Sequence, residues 1–195
     1  MNIAVAQSGG PTCAINASLL GVFRHATKYR EIETVYGSVN GIEGLILNNL
    51  VNLCDIIADD DDVELIRQTP STVLGSCRYK LPDYNEDSAV YETIVENLKA
   101  NDISAFFYIG GNDSMDTVMK LDAYFKANGI DIKAIGIPKT IDNDLAVTDG
   151  GDAASADSPV LKGCGLAHGC EFFRIYGVFG AHFPDAVVHV FFCGR

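Results

Sequence analysis

Apolar residues follow two rhythms along this chain, and the alternation between them sets the fold class. Asn2–Gln7 (NIAVAQ) is a short, nearly unbroken apolar run, the pattern of a strand buried on both faces. The SGGPT turn that follows leads into helical spacing over about residues 13–28. The succession then repeats. Glu33–Ser38 reads as a strand, Asp59–Gln68 and Ser88–Ala100 as helices, Ala105–Ile109 as a strand, Ser114–Asn128 as a helix and Ile132–Ile137 as a strand. Asn128-Gly129 supplies a helix stop. The acidic run Asp59–Asp62 falls at the start of its helix, where carboxylates suit the positive end of the dipole, and this reading is preferred over a cation site. Strands alternating with helices predict an α/β fold, a doubly wound, mostly parallel sheet with helices on both faces.

Past Thr148 the texture changes. Gly150–Pro159 is small and polar, the composition of a turn or linker. Val160–Arg195 is rich in Gly, Cys and Phe with weak periodicity, and within it Val187–Phe192 (VVHVFF) has the pattern of one strand. The expected organisation is therefore an α/β domain over residues 1–149 and an unassigned tail over 150–195.

Composition and charge narrow the function classes. A chain of 195 residues can bury one domain, or one domain and part of a second. No apolar run reaches the roughly 18 residues of a membrane span, and MNIAVAQSGG has no basic leader, so the expectation is a cytoplasmic protein without a membrane partner. A formal net charge of −12 argues against nucleic acid as a partner. It also means that an anionic ligand gains nothing from the overall field, so any positive potential must be local. Six cysteines without paired spacing read as reduced thiols. Cys164, His168 and Cys170 are neighbours in sequence, but no second ligand pair stands at a zinc-site spacing.

Three loops, each following a strand, carry the candidate chemistry; in an open parallel sheet such loops gather at the carboxyl edge, where ligands bind. The first, Ser8-Gly9-Gly10-Pro11, leads towards Asn16. Its glycines let backbone N–H groups approach a phosphate, although a plain tight turn fits as well. The glycine spacing is not the dinucleotide fingerprint, and no Gly-Lys-Ser/Thr follows as in a P-loop. In the second, Gly110-Gly111-Asn112-Asp113-Ser114, the aspartate is unusual for a phosphate cradle. Asp113 either binds a cation or shuts out part of a larger ligand, and an Asx cap starting the helix at Ser114 is the structural alternative. The third, Pro138-Lys139-Thr140-Ile141-Asp142-Asn143-Asp144, puts two carboxylates beside a lysine and a threonine. One aspartate can take a proton from an attacking hydroxyl while the other holds a metal.

These loops, in this order and at these separations, resemble the 6-phosphofructokinase family. GGNDSMDT and PKTIDNDL carry most of the resemblance; Gly37–Gly44 (GSVNGIEG) and Leu74-Gly75-Ser76-Cys77-Arg78 are similar to two further family segments. The resemblance covers about three quarters of the chain. It implies that Asp142 is the general base on the 1-hydroxyl of fructose 6-phosphate and that Thr140 holds substrate and the transferring phosphoryl group. Asp144 then stands near magnesium and sugar, while Gly9, Gly10, Gly111, Arg78 and Ser114 line the phosphoryl donor. Asn112 stands where the family commonly has a magnesium-binding aspartate, so Mg2+ is the implied cofactor, with Asn112 and Asp144 as its candidate ligands.

The ATP-using branch has glycine where Asp113 and Lys139 stand here. The resemblance thus implies pyrophosphate as donor, with Asp113 filling the space of a nucleotide's α-phosphate and Lys139 attracting the smaller anion and joining Asp142 and Thr140 in catalysis. The implied reaction is glycolytic: in-line transfer from pyrophosphate to fructose 6-phosphate, giving fructose 1,6-bisphosphate, in a homo-oligomer. ATP as donor is the alternative, as is a non-catalytic anion-binding fragment that associates with full-length subunits. The family's second domain, which clamps the sugar phosphate, has no recognisable counterpart in Gly150–Arg195, so impaired turnover is expected. A shifted reading frame, a truncated form and a diverged cap would each leave such a tail. Asp142→Asn is expected to lower turnover by about two orders of magnitude or more, the usual scale for a lost general base, in a coupled assay with fructose 6-phosphate and pyrophosphate; an unchanged rate would remove Asp142 from that role.

Overall fold

All six residues of β1 (Asn2–Gln7) are buried, and the sheet is built outward from them. The computed structural model describes residues 1–12 and 14–139 and, beyond these, three strand segments of the remaining chain. After β1 come α1 (Ile15–Ala26), β2 (Thr34–Ser38), α2 (Ile42–Ile46), β3 (Leu50–Asn52), α3 (Leu53–Ile56) and α4 (Asp60–Gln68). Then follow α5 (Ala89–Ala100), β4 (Ile103–Gly110), α6 (Asn112–Ala127) and β5 (Lys133–Pro138). The order across the five-stranded sheet is β3-β2-β1-β4-β5. β1 pairs in parallel with β2 through Ile3 and Val35 and with β4 through Ile3 and Ala105, and β5 continues in parallel beyond β4. At the far edge the short β3 is antiparallel to β2.

Alternation along the strands sends two sets of side chains to opposite faces. Ile3, Val5, Val35, Phe107 and Ile109 pack with Ile15, Leu19 and Phe23 of α1, Leu53 of α3 and Ile66 of α4. Ala4, Ala6, Phe106 and Tyr108 face the other way, onto Ile42 and Leu45 of α2, Tyr91, Ile94 and Leu98 of α5, and Val118, Leu121 and Phe125 of α6. The doubly wound, mostly parallel sheet expected from the sequence is therefore what the chain forms. Its layout also places a crevice: α1 leaves β1 towards β2, α6 leaves β4 towards β5, and between those diverging connections the carboxyl ends of β1 and β4 lie open.

Several element ends differ from the sequence expectation, each for a local reason. The segment between β2 and α4 holds α2, β3 and α3, elements of three to five residues that are too short to display a period. α6 starts at Asn112 rather than Ser114, because Gly111 takes an extended conformation and serves as the N-cap without any side-chain capping bond. Asp113 therefore belongs to the first helical turn, and the Asx cap at Ser114 is not formed. The acidic run behaves as expected, with the Asp59 carboxylate accepting from the N–H groups of Asp61 and Asp62. Asn128 and Gly129, the latter at φ +63°, end α6. In the tail, β6 (Gly165–Ala167), β7 (Cys170–Ile175) and β8 (Val188–Cys193) form a separate antiparallel sheet, with β8 close to the one strand expected there. Among the described residues no helix is long and apolar enough to cross a membrane.

Phe106 and Phe107 point to opposite faces and are each almost wholly buried. Phe106→Ala is expected to cost about 3–5 kcal/mol in urea unfolding, whereas Met119→Gln, at a site 66% exposed, should stay within about 0.5 kcal/mol. Similar losses at the two sites would contradict the packing described.

Candidate functional site

The loops after β1, β4 and β5 are laced together by their backbones. Ser8 N donates to Ile109 O at 2.8 Å, and Lys139 N donates to Gly110 O at 3.1 Å. Gly9 turns with φ +75°, a conformation that strains any residue with a Cβ. A Cβ built there would stand 3.5 Å from Lys139 Nζ and 3.8 Å from Gly111 N, so residues of all three loops meet at one point. The Lys139 side chain is only 5% exposed, which draws its ammonium down against the glycine turn. Around this point opens a cleft of about 730 Å³, walled by Gly9–Thr12, Cys77–Lys80, the first turn of α6 and Lys139.

The wall that carries Arg78 is held from below by two buried amides. Gln7 Nε2 donates to Asn16 Oδ1 at 2.9 Å, and Gln7 Oε1 accepts from Leu74 N at 3.0 Å. Asn16 Nδ2 lies within bonding distance of the carbonyls of Ile66, Thr69 and Ser71, while Asn16 Oδ1 also accepts from Val73 N at 3.2 Å. The strand and helix flanking the first glycine turn thus fix the chain that leads into Leu74–Arg78. Ser76 Oγ donates to Gly9 O at 2.7 Å and Ser8 Oγ donates to Cys77 O at 3.3 Å, fastening that wall to the glycine turn itself.

The opposite wall is the start of α6. Asn112 and Asp113 are exposed there, at the positive end of the helix dipole. Ser114 is 4% exposed, and its hydroxyl sits under Gly110, where any Cβ would collide with Ser114 Oγ. Asp113 Oδ1 is 3.3 Å from Lys80 Nζ, an ion pair reaching from one wall to the other. Below the cleft, the Tyr108 hydroxyl accepts from Ile42 N and lies 3.7 Å from Cys77 Sγ; burial pushes the phenol's pKa well up, so this group stays neutral.

Of the residues expected from the sequence, Gly9, Gly10, Arg78, Gly111, Asn112, Asp113, Ser114 and Lys139 all line this one cleft. Thr140, Asp142 and Asp144 lie outside the described residues. Lys80, Thr12 and Tyr108 also line the cleft and were not singled out in the sequence. Tyr108 could have been noticed as a polar group inside an apolar strand; a lysine in a loop carries no such signal. Among the described lining residues Arg78, Lys80 and Lys139 face a single carboxylate, Asp113, so local charge is positive in a chain of net charge −12. No cluster of three or more His, Cys, Asp or Glu side chains occurs among the described residues. Of the two candidate magnesium ligands, the Asn112 amide is a hard oxygen exposed at the cleft, which fits an ion that keeps most of its waters, while Asp144 lies outside the described residues.

Comparison with known proteins bears on the family and fold that carry this cleft. The family model described as phosphofructokinase matches residues 2–156. A pyrophosphate–fructose 6-phosphate 1-phosphotransferase of Methylococcus capsulatus is 44% identical over 149 residues, 76% of this chain and 35% of that protein. An ATP-dependent 6-phosphofructokinase of Histophilus somni is 37% identical over 147 residues, 75% of this chain and 41% of that protein. The crystal structure of a pyrophosphate-dependent phosphofructokinase from Nitrosospira multiformis superposes with a TM-score of 0.69 at 42% identity, over 76% of this chain and 36% of that one. The chain thus spans about a third of the length of the curated pyrophosphate-dependent relatives it matches.

Asn16→Ala would strip partners from the carbonyls of Ile66, Thr69 and Ser71 and from the Val73 N–H. It is expected to lower stability by about 2 kcal/mol or more in thermal or urea unfolding. Gly10→Ala is the contrast: a Cβ there meets nothing within 4 Å, so stability should stay within about 0.5 kcal/mol. If Asn16→Ala were equally silent, the amide pair would not be what holds the wall.

Proposed function

The chain belongs to the phosphofructokinase family, and from that premise we propose that residues 1–149 form the phosphoryl-donor unit of an enzyme that transfers phosphate from pyrophosphate to the 1-hydroxyl of fructose 6-phosphate. One observation carries the choice of donor: a buried lysine, Lys139, is set against the Gly9 turn, which Gly111 also approaches, while Asp113 stands exposed on the facing rim. The ammonium concentrates positive charge on a small volume at the floor of the cleft. The carboxylate narrows that volume from the side and repels an anion extending past it. A short, highly charged anion satisfies both walls, and a nucleotide triphosphate does not.

In this reading each loop has one task. Gly9, Gly10 and Gly111 let the donor approach the backbone closely, with no side chain between. Arg78 and Ser114 flank the donor, Arg78 as a fixed charge and Ser114 as a hydroxyl held against Gly110. Lys139 stabilises charge that builds on the oxygens during in-line transfer, where positioning and electrostatics carry most of the rate. Thr140 orients the acceptor and Asp142 receives the proton of its 1-hydroxyl. Asn112 and Asp144 would hold a magnesium ion, which when bound neutralises phosphate charge. The enzyme is assigned to the cytoplasm and to a homo-oligomer, with the sugar-phosphate clamp supplied from outside residues 1–149.

The test is a titration of the chain with inorganic pyrophosphate and, separately, with ATP, both with Mg2+, followed by coupled turnover of fructose 6-phosphate. Pyrophosphate should bind more tightly than ATP, and Lys139→Met should weaken pyrophosphate binding about tenfold or more, the scale of one charge–phosphate contact in a partly buried site. ATP binding at least as tight as pyrophosphate would overturn the donor assignment.

A further inference from the structure

The Lys80–Asp113 pair crosses the mouth of the cleft, yet the fold has no need of it. Both side chains are 76% exposed, and such pairs add little to stability. The segment that carries Lys80 is held by other bonds: Ser76 Oγ to Gly9 O, Ser8 Oγ to Cys77 O, Lys120 Nζ to Leu81 O and Tyr91 Oη to Pro82 O. The two walls stay in place without an ion pair between their rims. What the pair does is hold an ammonium over the opening, 3.3 Å from the one carboxylate among the described lining residues.

We propose that Lys80 is a donor-binding and specificity residue, tethered at the rim by Asp113 so that it closes over pyrophosphate from above while Lys139 holds it from below. This rests on the reading of the cleft as a pyrophosphate site. A free lysine on a loop samples many rotamers, and fixing one costs conformational entropy. Asp113 pre-sets the side chain across the opening, so less of that cost remains when the anion arrives. The same contact neutralises Asp113 at short range: its carboxylate keeps its bulk against a longer donor but repels a short anion less. The arrangement explains how an aspartate can line a phosphate cleft at all.

The experiment is calorimetric titration of the whole chain with inorganic pyrophosphate in the presence of Mg2+, for the unsubstituted protein, Lys80→Gln, Lys80→Arg, Asp113→Asn and the double variant. Melting temperatures are recorded alongside. Lys80→Gln should raise Kd about tenfold with the melting temperature unchanged, and Lys80→Arg should restore most of the binding, because charge and reach are retained. In the Asp113→Asn background the loss from Lys80→Gln should shrink to about threefold, since the tether is already gone. Binding by Lys80→Gln as tight as by the unsubstituted chain would overturn the role of Lys80 and leave the donor site standing. An undiminished tenfold loss in the Asp113→Asn background would overturn the tether. No binding of pyrophosphate by the unsubstituted chain would overturn the site and this proposal together.

Discussion

Two buried amides, Gln7 on β1 and Asn16 on α1, are the constraint on which the cleft depends. Each makes several hydrogen bonds, and together they tie the strand and helix flanking the first glycine turn to a loop more than fifty residues away. A backbone segment such as Ile66–Leu74 has no sheet or helix ladder of its own after α4 ends, so its polar groups need partners from elsewhere. The amides supply them, and the position of Arg78 and Lys80 follows from that. Functional loops are often the mobile part of a fold; here the loop that brings cations is fixed as firmly as core. The cost of disturbing it falls on unpaired buried groups.

Electrostatics follow the same local logic. A chain of net charge −12 repels phosphates at long range, so attraction has to be concentrated where the ligand sits. The sheet does this by geometry. The diverging connections after β1 and β4 leave one open rim, and the loops at that rim bring backbone amides, the amino end of α6 and Lys139 to the same place. Arg78 and Lys80 enter from a segment that is not part of the sheet at all. Charge in the cleft is therefore built from elements of different kinds, each positioned independently.

Much of this was legible in the sequence. The NIAVAQ run, the helical spacing after Ser88 and the strand before Gly110 place the sheet, because buried strands and amphipathic helices write their periods over many residues. Gly9 and Gly111 were legible as turn glycines, and Lys139 and Asp113 as charges where a plain turn would not put them. The Gln7–Asn16 pair was not recognised, since a hydrogen bond between residues on different elements leaves no periodic trace. Lys80 was missed for the same reason: its meaning comes from Asp113, 33 positions away in sequence and 3.3 Å away across the cleft. The start of α6 was displaced by two residues because Gly111 caps the helix by conformation, which sequence chemistry favouring a Ser or Asx cap does not foresee.

The placement of Asp113 in the first helical turn, rather than in a loop, bears on what selects the donor. An aspartate in a loop could swing aside to admit a longer ligand. In a helix, backbone hydrogen bonds hold its Cα, and Thr117 Oγ1 bonds to its carbonyl at 3.0 Å, so the side chain has only its own rotamers to offer. The helix dipole favours keeping the carboxylate at that end, and Lys80 draws it towards the opening. Moving the residue as a whole would demand unwinding of the first turn of α6, and that turn also carries Ser114 beneath Gly110. Under the proposed function, selectivity for a short anion is then a property of the fold's rigid part, and Arg78 and Lys80, held in place by the opposite wall, add charge to whatever that rigid part has admitted.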